Sequence, residues 1–298
     1  MSSYLLEKAC KEGKGRSNGT FGELLQGVLP NLRSFMVTFP IRLFSHATFT
    51  PDPESDHLSV FPGKKRKSAQ MAQIILEHFQ LNIGGRLEIA SEIPEGKGLA
   101  SSSADLVATA YALKMAFDLD LDPVLIGNFI AKIEPTDGVM HPGATSFYYK
   151  EVELKESIAH LPELTILGID EGDSLDTLKY NQIEKVYTKE CYERYERLLE
   201  TITAAIKVGD LKKIGIVATE SSRMNQKHNH KPSLDLVISI CEEIGGLGVA
   251  VAHSGTFLGI LFDPRSDDFE RKFSACCKKL QELGYFTHVF NSLGMDSL

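Results

Sequence analysis

Hydrophobic and polar positions along this chain follow two periods, and the changes between them mark out its elements. Asn31–Phe49 is rich in Val, Phe, Ile and Thr and predicts strands. The polar stretch Pro51–Asp56 predicts a turn, and Leu58–Pro62 a further short strand. Met71, Ile74, Ile75, Leu76 and Phe79 share one face at helical spacing, which predicts a helix over Ser68–Gln80. Gly85–Ile93 alternates Leu87, Ile89 and Ile93 with polar neighbours, as a half-buried strand does. A glycine-containing loop then gives way to a long apolar helix over about Ser102–Phe117, and Leu121–Ile133 predicts another.

The second half opens on a strand, Pro162–Gly168, followed by a long charged helix over about Asn181–Ala205. Helices are expected at Leu211–Asn225 and Leu234–Ile244, and Gly246–Phe262 reads as two strands around a turn. A helix near Asp268–Leu283 and a strand near Thr287–Asn291 complete the pattern. The first half mixes strands and helices without the strict βαβ alternation of a Rossmann fold. With roughly 100–200 residues per domain, 298 residues suggest one large domain or two intimate ones. The expected division is 1–155 and 156–298.

Composition narrows the function classes. The net charge of −8 argues against a general binder of nucleic acid or of anionic membrane. The one dense basic run, Lys64–Lys67, reads either as a solvated turn before a helix or as a cluster at the mouth of a site that attracts phosphates. Cys10, Cys191, Cys241, Cys276 and Cys277 show no metal-ligand spacing, which fits a reducing, cytoplasmic setting. No apolar run reaches the about 18 residues of a membrane span, and the start lacks the pattern of a signal peptide.

The segment Pro94-Glu95-Gly96-Lys97-Gly98-Leu99-Ala100-Ser101-Ser102-Ser103-Ala104 follows a strand and opens an apolar helix. Glycines there let the backbone approach a phosphate closely. The helix start adds unpaired N–H donors and the positive end of its dipole. Serine hydroxyls can bind phosphate oxygens or Mg²⁺, a hard cation that prefers oxygen. The segment is neither a Walker A loop nor a dinucleotide fingerprint. The plainer alternative is a glycine turn with a serine N-cap.

Pro94, Gly98, Leu99, Ser101 and Ser102 fall on the positions of a motif that resembles the central motif of the GHMP kinases, named for galactokinase, homoserine kinase, mevalonate kinase and phosphomevalonate kinase. Two flanking segments extend the resemblance. Ser17–Gly27, containing Gly22-Glu23-Leu24-Leu25-Gln26-Gly27, looks like a first motif on the substrate side, with Asn18 where proline is usual. Gly246–Gly259, with His253-Ser254-Gly255-Thr256 at its centre, looks like the C-terminal glycine-rich motif; read alone it is a hairpin turn with a packed histidine. These two forms, with Glu134-Pro135-Thr136-Asp137 and Glu220–Gln226, are similar to the branch that phosphorylates L-threonine in bacterial cobalamin synthesis.

The resemblance implies an α+β class and the GHMP kinase fold, an N-terminal ribosomal-protein-S5-like ATP-binding domain followed by a C-terminal ferredoxin-like domain. It implies ATP and Mg²⁺, with the triphosphate on Pro94, Gly96–Ala104 and the metal on Ser102 and Glu134. Pro135 pushes Glu134 out of helical geometry, so Glu134 and Asp137 sit together at a loop entry. Phosphoryl transfer needs an acidic metal ligand and a group that orients the attacking hydroxyl. Asp137 is the expected base or orienting group, and Lys97 or the 64–67 run is expected to offset charge on the transferring group. Thr20, Glu23, Gln26, Asp137, Ser254, Gly255 and Thr256 are the expected substrate contacts, with Arg223 and Asn225 within reach if the C-terminal half closes. A small alcohol, L-threonine first, is the expected partner, and a homodimer is compatible with the resemblance. Another GHMP alcohol kinase, such as homoserine kinase, and a catalytically silent nucleotide-binding regulator stand as the alternatives.

Overall fold

The computed structural model describes residues 11–172 and 187–294. Its strands are β1 (Gly13–Val28), β2 (Ser34–Asp52), β3 (Leu58–Phe61), β4 (Gly84–Ser91), β5 (Ala144–Tyr148), β6 (Glu153–Ala159), β7 (Thr165–Asp170), β8 (Gly248–Val251), β9 (Phe257–Phe262) and β10 (Thr287–Asn291). The helices are α1 (Arg66–His78), α2 (Ser101–Phe117), α3 (Pro123–Ile130), α4 (Lys189–Val208), α5 (Leu211–Asn225), α6 (Leu234–Ile244) and α7 (Phe269–Glu282). The strands form one sheet in the order β10-β7-β9-β8-β1-β2-β4-β3, with β5 joined to β2 and β6 to β5. Only the β3–β4 ladder is parallel.

Strand β1 is buried along most of its length because helices cover both its faces. On one side it lies so close to α2 that a Cβ on Gly15 would stand 2.0 Å from the Ala108 carbonyl oxygen. Helix α2 suits that place: alanine-rich and buried all round, it lets the strand approach its backbone. On the other side Leu24, Leu25 and Phe35 pack with Tyr195, Leu199 and Ile202 of α4 and Ile214 and Val217 of α5. A second cluster fills the space between α1, α2, α3 and the β2–β4 region, and a third joins α6 and α7 to β7, β8 and β9.

A bulge in β1 sets the geometry of the site. Glu23 pairs with Thr38 and Gln26 with Met36, while the register shifts between Glu23 and Leu25. Thr38 and Met36 are two apart on β2 and share a face, so Glu23 and Gln26 share it too, although three apart.

Several predicted elements differ from those observed. Strand β2 runs on to Asp52 and absorbs the start of the expected turn. The helix expected over Leu121–Ile133 shortens to α3, where Asp122 caps the Leu125 N–H at 2.7 Å. The long charged helix begins at Lys189 and ends where Gly209 turns left-handed; its expected first residues, 181–186, lie outside the described residues, as does Cys10. Strands β5 and β6 were not expected. Ala-Thr-Ser-Phe-Tyr is buried at every position and shows no alternation, and β6 carries three charged residues in seven.

Candidate active site

The loop Ile93–Ala100 carries the chain from β4 into α2, and neighbouring backbone holds it on two sides. The N–H groups of Thr20 and Gly22 donate to the carbonyls of Leu99 and Gly98 at 3.1 and 3.2 Å. The Thr256 N–H donates to the Lys97 carbonyl at 3.2 Å. Gly98 has φ +77°, and a Cβ there would lie 2.6 Å from the Ala252 Cβ. A Cβ on Gly255 would lie 2.1 Å from the Lys97 carbonyl oxygen. Glycines at these positions let the loop and the β8–β9 turn touch backbone to backbone.

Ala100, at the N-cap of α2, is left-handed (φ 61°, ψ 27°) and no side chain caps the helix. The first N–H groups of α2 are thus left for an external acceptor. They open on a cavity of about 190 Å³ lined by Pro94, Gly96, Gly98–Ser103, Lys67, Glu134–Asp137, Glu23, Gln26, Met36, Tyr149 and Ser254. A second cavity, about 400 Å³, adjoins the same loop and is lined by Lys64–Ser68, Glu95, Gly96, Ser101, Ser102 and Asp105.

Side chains on the two walls differ in kind. Beside the helix start, Ser102 Oγ donates to Glu134 Oε1, and Lys67 Nζ pairs with Glu134 Oε2. Lys65 Nζ pairs with Asp105 at 2.5 Å and with Glu95 at 2.7 Å, tying the loop to α2, while Ser45 Oγ donates to Asp105 at 2.5 Å. Ser101 Oγ is buried without a partner. Across the cavity, Asp137 is half-buried, and Ser103 Oγ donates to its Oδ2 at 3.1 Å while accepting its N–H at 3.3 Å. Burial first, then the charge of Glu23, push the Asp137 carboxyl up to about 7 against the Ser103 hydrogen bond, with Glu134 adding to the rise.

Glu23 is held from the C-terminal half. Its Oε2 accepts from the His253 backbone N–H at 3.2 Å and lies 2.8 Å from His253 Nδ1. His253 Nε2 lies 2.9 Å from Ser221 Oγ of α5, and Ser221 Oγ accepts the Gln26 N–H at 3.2 Å. The turn carrying His253 is fixed in its turn. Asn229 Nδ2 donates to the carbonyls of His253 and Gly255 at 3.0 and 3.2 Å, and the buried Lys231 ammonium donates to the Gly255 carbonyl. Burial pulls the Lys231 ammonium down to about 8, opposed by Glu171, Asp170 and Glu23.

The expected site residues thus divide. The loop residues, Glu134, Asp137, Glu23, Gln26 and Ser254 meet around one cavity. Thr20, Gly255 and Thr256 stand behind its lining, where they hold the loop. Ala104 is buried in α2, its N–H bonded to the Ala100 carbonyl at 2.9 Å. The Lys97 ammonium pairs with Asp170 at 2.7 Å, and Thr256 Oγ1 donates to the same carboxylate at 2.5 Å. Burial alone would raise Asp170, but these bonds and the Gly172 N–H hold its carboxyl below the usual range. Arg223 corrects an expectation: it is exposed and lies 3.9 Å from Glu242, because its position on α5 turns it from the cavity. Asn225 is buried behind the His253 turn, its Nδ2 donating to the His253 carbonyl at 3.5 Å. The 64–67 run lies beside the loop rather than forming only a solvated turn. Sequence reasoning missed Tyr149, Met36 and the Glu23–His253–Ser221 chain; Glu23 and Ser221 are 198 residues apart, and no local spacing marks the contact.

Two family models match the chain: the GHMP kinases N terminal domain over residues 66–149 and the GHMP kinases C terminal over residues 201–279. The chain belongs to the GHMP kinase family. It is similar to the L-threonine kinase of Citrobacter freundii, 27% identical over 254 residues that make up 84% of this chain and 86% of the relative. Its fold is that of homoserine kinase from Cytophaga hutchinsonii (TM-score 0.74, 14% identity, 95% of each chain covered). The mevalonate kinase of L. major in complex with R-mevalonate has the same fold, with a TM-score of 0.70 and 18% identity over 95% of this chain and 96% of that one.

GHMP kinases use ATP, and the residues present fit a triphosphate and a hard cation. The uncapped start of α2 and the orphaned Ser101 hydroxyl offer donors to an anion. Ser102 and Glu134 offer oxygen to a metal. Among the described residues no group of three or more His, Cys, Asp or Glu could hold a metal. A site that completes its shell with phosphate oxygens and water, as Mg²⁺ sites do, matches that donor set. No helix among the described residues is long and apolar enough to cross a membrane.

Proposed function

We propose that this chain is an ATP-dependent kinase that phosphorylates the side-chain hydroxyl of L-threonine, giving O-phospho-L-threonine and ADP. The observation that carries the reading is one cavity in which an uncapped, serine-rich helix start faces a half-buried carboxyl of raised pKa across a few side chains. The likeness to an L-threonine kinase over most of both chains supports the choice of substrate. Residues 1–155 form the ATP-binding half in this reading, and 156–298 the ferredoxin-like half.

Each residue then has a task. The N–H groups of Ser101–Ser103 and the Ser101 hydroxyl bind the triphosphate. Ser102 and Glu134 would hold Mg²⁺, which when bound would neutralise phosphate charge. Lys67, already at Glu134, adds positive charge beside the transferring group, while Lys97 keeps the loop in place through Asp170. Asp137 orients the alcohol and, when ionised, takes its proton as the oxygen bonds to phosphorus and ADP leaves. A carboxyl that titrates near neutrality suits that exchange.

The test is ADP release with Mg·ATP against L-threonine, L-serine, L-homoserine and mevalonate, with the product identified by mass. Phosphothreonine formed in clear preference is the expected result. Turnover of another alcohol in preference would discard the threonine assignment and keep the kinase. Absence of turnover with intact ATP binding would favour a nucleotide-binding regulator.

A further inference from the structure

The wall of the cavity formed by β1 is built to accept hydrogen bonds. Glu23 commits Oε2 to His253, and no donor in the described protein meets its Oε1. Gln26 Oε1 is buried with no partner. The bulge in β1 brings both residues to one face, and both line the cavity. Buried acceptors without donors are costly, so a ligand that supplies N–H groups is favoured there. Charge narrows its chemistry further. Glu23 and Asp137 both belong to this part of the lining, and among the described residues the one cationic side chain that lines the cavity, Lys67, is bound to Glu134.

We propose that Glu23 and Gln26 form a seat for an ammonium group, braced by His253 and Ser221, so that the site selects alcohols that carry an amine. The inference rests on the kinase reading above and deepens it to a substrate class: a 1,2-amino alcohol such as a β-hydroxy-α-amino acid. With His253 neutral, the brace has one proton arrangement. His253 Nδ1–H donates to Glu23, the Ser221 hydroxyl donates to His253 Nε2, and Ser221 Oγ accepts the Gln26 N–H. All three side chains are buried, at 4%, 1% and 0% exposure for Glu23, His253 and Ser221, so none can turn to solvent. Ser221 also holds the backbone of Gln26, so one hydroxyl fixes both halves of the seat. His253 and Ser221 are positioning residues; neither lines the cavity.

Calorimetric binding, read separately from turnover, tests the seat on the full chain. The probes are L-threonine, 2,3-dihydroxybutyrate, which lacks the amine, N-acetyl-L-threonine, which lacks its charge, and 1-amino-2-propanol, which lacks the carboxylate. L-threonine and 1-amino-2-propanol are expected to bind, and the two probes without an ammonium to bind roughly 100-fold more weakly. Glu23→Gln is expected to shrink that discrimination to under about tenfold. Ser221→Ala, a loss of one hydroxyl that leaves the packing in place, is expected to raise KM for L-threonine several-fold with kcat little changed, and to narrow the same discrimination. His253→Gln, which keeps an N–H donor, is expected to lie between Ser221→Ala and the unaltered protein. Equal binding of 2,3-dihydroxybutyrate and L-threonine would overturn the seat and leave the kinase standing. Amine-dependent binding without phosphorylation of any probe would keep the seat and count against the kinase. Unchanged discrimination in Glu23→Gln would overturn the seat, and unchanged discrimination in Ser221→Ala alone would reduce the brace to packing.

Discussion

The two walls of the cavity are made in different ways. The phosphate-loop wall is backbone: one continuous segment, Pro94–Ser103, with its glycines against the β8–β9 turn and its helix start uncapped. The opposite wall is side chains drawn from three places, Glu23 and Gln26 on β1, Asp137 after α3, and Ser254 on the β8–β9 turn. A backbone wall can treat every triphosphate alike, because N–H groups do not depend on residue identity. A side-chain wall can be altered one residue at a time, and that is where relatives with one fold and different alcohols have room to differ.

The comparison breaks most sharply at Gly98. Gly98→Val places a branched side chain at φ +77° and against Ala252 and Gly255. It is expected to abolish ATP binding and to cost about 3 kcal/mol of stability, read by calorimetry and chemical denaturation. Asp137→Ala belongs to the other wall and should leave ATP binding within a few-fold while kcat falls roughly 100- to 10,000-fold. Full turnover in that variant would remove Asp137 from the mechanism without touching the loop.

A third effect separates stability from activity. The Asp137 carboxyl, raised to about 7 by burial and Glu23, keeps its proton in the folded protein over a range where the unfolded chain, near 3.8, has lost it. Folding therefore takes up a proton between those values, and stability falls as pH rises from about 4 to about 7. The full span is on the order of 4 kcal/mol, and Asp137→Asn should flatten it in metal-free denaturation curves at pH 5 and pH 8. Activity should run the other way, rising as Asp137 ionises. The smallest expected effect is at Lys97→Met: loss of a partly exposed ion pair with Asp170 should change stability by about 1 kcal/mol or less and KM for ATP a few-fold. A large fall in kcat there would instead bring Lys97 into the transfer step.

Legibility in the sequence followed the same division. The loop could be read because its chemistry is local: a strand, two glycines, three serines and an apolar helix in consecutive order. Most helices and the strands other than β1, β5 and β6 were legible through composition and periodicity, whereas β5 was not, since a strand buried at every position has no alternation to show. Glu134 and Asp137 stood out because Pro135 takes Glu134 out of helical geometry and opens a loop that carries both. His253 read as a packed histidine, and it is one; its hold on Glu23 depends on β8 lying beside β1, a contact between residues 230 positions apart. Lys97 read as a charge for the phosphates because it lies in the motif, yet Asp170, at the end of a distant strand, holds its ammonium.

The bulge in β1 makes recognition a matter of parity. An ordinary strand assigns odd and even positions to opposite faces, and one unpaired residue resets that count. A strand that kept every amino acid of the motif but paired Leu24 in regular register would return Glu23 and Gln26, three apart, to opposite phases, splitting the wall without altering its composition. Register here thus acts as a switch in phase, and related chains that run through this point without a bulge are expected to read their alcohols through different pairs of side chains.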